Sequence, residues 1–242
     1  MKRKIRQACT YLFSGYYNLL LLSLLLLFIF RPYDRGFFYL GIWKLLLTSV
    51  FLSAIINIKH HRIVKIISVG LMVPALVLTW LNLFHPMEVL FVTDASLTFL
   101  FMLICTGSIV ADVVIRARVT LETLRGVICA YFMVAFAFAY IYYLIEYVSP
   151  DSFHLITRVS TFSYNHYLSE MLYYSFVTLL TIGFGDITPL KDVGQTATVI
   201  EGIIGQFYIA ILVARLVSVY SLYSTKGLLK EFEKDLAKKS KR

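Results

Sequence analysis

Six apolar stretches, near 11–30, 37–57, 64–84, 89–114, 120–148 and 192–224, fill most of this chain. Crossing the hydrocarbon core of a bilayer takes about 20 residues of helix, and each stretch is that long. Nothing else in the sequence limits the fold as tightly. A chain in lipid must pair its backbone groups within its own segment, so each stretch must be a helix. Pro32 and Pro150 help to end the first and fifth. Met1-Lys2-Arg3-Lys4 before a Leu-rich run has the outline of a signal peptide. That run closes at Phe30-Arg31-Pro32 without a small-residue cleavage pattern, so a retained first helix is expected. The expected fold class is an all-α membrane protein with six transmembrane helices. Composition agrees: 59% of residues are apolar and only 15% charged, too few to cover a soluble surface of this size.

The segment 149–191 breaks the pattern. It begins polar (Ser149-Pro150-Asp151-Ser152, later Asn165-His166), turns apolar from Leu168 to Leu180, and ends in a glycine-rich turn. About 13 residues of helix rise about 20 Å, too little to span a bilayer. This is expected to be a re-entrant helix that enters and leaves on one side. Lys and Arg set the orientation. With the amino terminus in the cytoplasm, seventeen lie inside, among them Lys2, Arg62, Arg116, Arg125 and Lys230, against four outside: Arg31, Arg35, Arg158 and Lys191. Both termini are therefore expected in the cytoplasm, and the re-entrant segment opens to the outside.

The net charge of +9 does not point to nucleic acid, because the basic residues sit in the connections and the tail. Cys9, Cys105 and Cys129 show neither metal-ligand spacing nor a disulfide framework and read as small buried hydrophobes. No HExxH, nucleophile elbow or P-loop is present, so an enzyme is not expected. No duplicated halves suggest a secondary transporter.

Chemistry concentrates in Thr178-Leu179-Leu180-Thr181-Ile182-Gly183-Phe184-Gly185-Asp186. A short helix ends near Leu180, and its carboxyl end, which carries partial negative charge, lies at membrane depth. Two alternating glycines follow. Glycine takes positive φ freely, so successive peptide units can turn their carbonyls to one side. Unpaired carbonyls in a membrane are tolerated only where they line a watery or ion-filled path. Such carbonyls, with the Thr181 hydroxyl, are hard oxygen ligands able to replace the water shell of a monovalent cation.

Thr178, Thr181, Gly183, Phe184, Gly185 and Asp186 reproduce the pattern Thr-x-Gly-[Tyr/Phe]-Gly-Asp with a further Thr three residues earlier. Here the chain resembles the potassium channel family, over roughly 118–224. The resemblance implies a selectivity filter of Thr181, Ile182, Gly183, Phe184 and Gly185, with K+ held at Thr181, Ile182, Gly183 and Phe184. Asp186, Thr178, Tyr173, Tyr174 and Val177 would support it. Gly205 lies at the family's spacing for an inner-helix hinge glycine, and a close helix contact is the alternative. The run Glu201-Gly202-Ile203-Ile204-Gly205-Gln206, then Ala214-Arg215-Leu216-Val217, looks like bacterial members. One loop cannot enclose a pore, so the family's homotetramer is implied. No cofactor is implied beyond the permeant K+. Two departures stand out. Phe184 replaces the commoner Tyr, which removes a bracing hydroxyl. Val177 replaces a Glu that pairs with the filter Asp in some relatives, which leaves Asp186 to find another partner, with Tyr174 the candidate.

The layout divides into a four-helix membrane domain (1–117), a pore domain (118–225) and a short basic tail (226–242). Voltage sensing needs repeated Arg or Lys through the fourth helix, but Val89 to Val114 has none, so voltage gating is not expected. Lys44 and Asp94 fall inside the membrane, either as an ion pair between the second and fourth helices or with Lys44 snorkelling outward. Arg215 either lines the inner mouth or turns away to an acid or to headgroups. The tail has apolar residues at helical spacing, ends in bases, and suits a bundle around the fourfold axis or anionic lipid. A cell membrane (plasma or bacterial inner) is the expected location.

Overall fold

The computed structural model describes residues 17–31, 36–58, 62–115, 121–155, 164–212 and 214. Helices dominate these residues: α1 Asn18–Ile29, α2 Phe37–Asn57, α3 Arg62–Phe84, α4 Glu88–Ile115 and α5 Leu121–Val148. Strand β1 Phe153–Leu155, helix α6 Tyr164–Leu179 and strand β2 Ile187–Pro189 follow. The last described helix, α7, covers Asp192–Leu212. Five helices (α2, α3, α4, α5 and α7) are long and apolar enough to cross a membrane. The described part of α1 is 12 residues long, and the start of the expected first span lies outside the described residues. So do both expected domain boundaries, Arg215 and the tail.

Local chemistry accounts for the helix ends. Gly36 precedes α2 with φ of 103°, a value that favours glycine. Glu88 sits in the first turn of α4, where a negative charge complements the exposed N–H groups. At the end of α5 the Glu146 carboxylate accepts the backbone N–H groups of Asp151 (2.8 Å), Ser152 (2.9 Å) and Phe153 (3.2 Å), folding the chain back sharply. α3 runs through Pro74 without interruption, as membrane helices tolerate.

α5 is the spine. α4 packs along it most extensively, α6 lies on a second side, and α1 on a third. Ala130, Ala135, Ala137 and Ala139 keep α5 thin, which lets neighbours approach closely. Phe28 of α1 lies 4.5 Å from Phe176 of α6 and 6.2 Å from Phe132 of α5 between ring centres, so one aromatic cluster joins the three helices.

β1 and β2 pair antiparallel, with Phe153 opposite Pro189 and Leu155 opposite Ile187. They tie the chain leaving α5 to the chain entering α7. This ribbon is not legible in the sequence, because three-residue strands are too short to show alternation. α6 also begins four residues before the expected Leu168, because polar Asn165 and His166 form its first turn. Polar residues are at home there, where backbone N–H groups lack partners in the helix.

Candidate functional site

α6 ends in a tightening turn. The N–H of Leu180 donates to Phe176 (3.0 Å), that of Thr181 to Thr178 (2.9 Å), and that of Ile182 reaches back to Val177 (2.9 Å). These bonds occupy the last carbonyls of the helix, which would otherwise lack partners. Beyond them, among the described residues, no backbone hydrogen bond involves Gly183, Phe184 or Gly185.

The backbone changes hand at every second residue: φ is +57° at Thr181, +60° at Gly183 and +79° at Gly185. Glycine adopts such values freely, whereas a β-branched residue does so at a cost of about 1–3 kcal/mol. Thr181 was not anticipated here, since nothing in a Thr codes for positive φ; the flanking bonds of residues 181 and 182 impose it. Thr181 to Gly185 are all exposed in the single chain, Ile182 at 48% and Phe184 at 68%.

Behind this strip, Tyr173, Tyr174, Ser175 and Leu179 of α6 are each tied to a neighbour. The Tyr173 hydroxyl donates to Asp186 Oδ2 at 2.7 Å, and Asp186 Oδ1 accepts the N–H of Ile187 at 3.1 Å. A hydroxyl donating to a carboxylate makes a charge-assisted bond, stronger than one between neutral groups. Arg31, at the end of α1, lies over the Tyr173 ring at 5.6 Å. The partner of Asp186 is thus Tyr173 and not the expected Tyr174. Adjacent helix residues point about 100° apart. Tyr174 therefore turns away, into the protein, and its hydroxyl meets Thr198 Oγ1 of α7 at 2.8 Å. Thr178 lies beside the Tyr174 phenol, and Val177 is buried.

Gly205 of α7 faces the end of α6. A Cβ added there would stand 2.5 Å from the Leu179 carbonyl oxygen, inside any tolerable contact. The same carbonyl accepts the Tyr131 hydroxyl of α5 at 3.0 Å. Gly205 is therefore a close-contact glycine here, and α7 is helical on both sides of it.

Glu201 is fully buried, one turn before Gly205. Tyr142 donates to its Oε2 at 2.5 Å, and Ser175 of α6 bonds its Oε1. Nothing in the sequence marks this acid as buried, because burial of a single carboxyl leaves no periodic signal.

Lys44 does not snorkel: it is 3% exposed. Nor does it pair directly with Asp94. Its Nζ donates to the Thr79 carbonyl at 2.5 Å, and the Thr79 hydroxyl donates to Asp94 Oδ1 at 2.8 Å. Thr79 belongs to α3, which stands between the two helices and supplies the bridge.

Residues 128–221 match a protein-family model described as ion channel. The chain is also similar to protein LctB of Bacillus caldotenax, 29% identical over 100 residues, which is 41% of this chain and 74% of that protein. Protein LctB of Geobacillus stearothermophilus is 29% identical over 110 residues, 44% of this chain and 79% of the relative. No solved structure matches the chain.

Proposed function

We propose that this chain is one subunit of a homotetrameric, potassium-selective channel, starting from the match of residues 128–221 to an ion-channel family model. The observation that carries the proposal is the strip Thr181–Gly185: exposed residues whose carbonyls accept no backbone hydrogen bond among the described residues, with φ positive at alternate residues, directly after a helix end. Alternating hand turns successive carbonyls to one side. Four such strips around an axis surround a dehydrated K+ with carbonyl oxygens of Thr181, Ile182, Gly183 and Phe184. The 16 residues of α6 rise about 24 Å, short of a span, so α6 acts as the re-entrant helix and points its negative end at the ions.

The rest of the single chain supports several copies. Ile182, Phe184, Val199, Ile203, Phe207 and Ile211 are large, apolar and exposed along the strip and α7. Neighbouring subunits would cover part of that surface, and the remainder would line the path below the filter. The membrane is the cell membrane, with both termini inside. α4 carries no Lys or Arg between Glu88 and Ile115, so opening draws little on voltage, where each moved charge supplies about 2.3 kcal/mol per 100 mV. Arg215 and the basic tail would sit at the inner mouth near anionic headgroups.

The test is a reversal potential. Purified protein in planar bilayers, with K+ on one side and Na+ on the other, should reverse close to the K+ equilibrium potential. Reversal near zero at equal concentrations would identify an unselective cation pore. Saturating flux that follows a counter-ion would identify a transporter.

A further inference from the structure

A hydroxyl has one proton to give, and that count fixes the state of the buried carboxyl behind α6. Ser175 Oγ lies 2.7 Å from the carbonyl oxygen of Ala135 on α5 and also bonds Glu201 Oε1 on α7. The carbonyl can only accept, so the Ser175 proton goes to Ala135; two oxygens at that distance with no proton between them repel. The contact between Ser175 Oγ and Glu201 Oε1 then needs its own proton, and the one group left to supply it is the carboxyl. Tyr142 meanwhile donates to Oε2 at 2.5 Å, the proper partner for the C=O side of an acid.

We propose that Glu201 is a neutral carboxylic acid and a positioning residue: its proton completes the chain Glu201–Ser175–Ala135 and so holds α7 and α5 against the back of the pore helix. This rests on the pore reading above. Ser175 stands three residues before Thr178 and six before Thr181. Glu201 stands four residues before Gly205, which touches the end of α6. The acid thus sits where the filter scaffold and the pore-lining helix meet.

Surroundings favour the neutral form. Glu201 is 0% exposed, and among the described residues no Lys or Arg pairs with it. The titratable groups facing it are phenols: Tyr131 and Tyr142 from α5 and Tyr174 from α6. A carboxylate there would carry an uncompensated charge in an apolar interior. It would also lose its donor bond to Ser175, so the latch opens as pH rises.

Two readouts judge the proposal. The infrared spectrum of the purified tetramer at neutral pH, taken as wild type minus Glu201→Gln, should show the carbonyl stretch of a protonated carboxylic acid. Its absence would overturn the neutral state. In bilayers, wild-type K+ current should fall as pH is raised into the alkaline range. Glu201→Gln, whose amide N–H can still donate to Ser175, should conduct and lose that dependence. Glu201→Ala, which leaves Ser175 and Tyr142 without their partner, should lose about tenfold or more of the current, the effect of one unsatisfied buried group. If Glu201→Gln shows the same alkaline loss as wild type, the phenols and not the acid titrate, and the latch is refuted. Absence of current in every variant would sink the pore reading and the coupling with it, while the infrared result would still decide the protonation state.

Discussion

The two sides of α6 and its outgoing turn obey opposite rules. On the open side, Thr181 to Gly185 are exposed, their carbonyls accept no hydrogen bond from another backbone group among the described residues, and φ is positive at alternate residues. On the closed side, Tyr173, Tyr174, Ser175 and Leu179 each bond to a different part of the chain: Asp186, Thr198, Ala135 with Glu201, and Tyr131. The contrast shows how an irregular strand stays in one conformation. A left-handed Thr persists only where its surroundings over-determine it. Here that determination comes from behind, which leaves the front free for the role proposed for it.

If that division holds, changes on the closed side should grade by how directly they bear on the turn. Gly205→Ala should have the largest effect on stability. The added Cβ meets a backbone carbonyl at 2.5 Å, and no rotamer relieves that. A loss at the upper end of the 1–3 kcal/mol typical of overpacking, about 3 kcal/mol, should appear as a lower unfolding temperature of the purified protein. An unchanged temperature would mean that α7 shifts freely on α6.

Tyr173→Phe comes next. It removes a bond to a carboxylate, a kind worth about 1.5–3 kcal/mol, and frees Asp186 at the outer end of the strip. Current should decay faster under sustained voltage while assembly stays intact, as single-channel recordings would show. Tyr174→Phe should do least. Its hydroxyl bond to Thr198 faces away from the strip and contributes about 1 kcal/mol. Unfolding should shift slightly and conduction not at all. Should the two tyrosine variants behave alike, front and back would not be separate.

The sequence made some of this legible and hid the rest for physical reasons. Long helices announce themselves by length and hydropathy, and α2 falls on the expected 37–57. The glycines at 183 and 185 announce positive φ by their lack of a side chain. Thr181 carries no such mark, because its conformation comes from bonds at 181 and 182 and not from its own preference. The partner of Asp186 is Tyr173 and not Tyr174 for a reason of helix phase: a one-residue step turns the side chain through about 100°, and two adjacent tyrosines give no sign in the sequence of which faces the turn. Burial of Glu201 and the Thr79 bridge between Lys44 and Asp94 depend on which helices stand side by side, which hydropathy does not encode. Strands of three residues are below the length at which alternation can be read.

The most direct test of the account places a side chain on the open strip itself. Gly185 has φ of +79° and nothing within 4 Å of an added Cβ, so Gly185→Ala tests backbone conformation and not packing within the chain. In tetramers shown by cross-linking to assemble normally, K+ current through single channels should vanish or lose its preference for K+ over Na+. Full current with unaltered preference would mean that the left-handed backbone at this turn does not carry the ions.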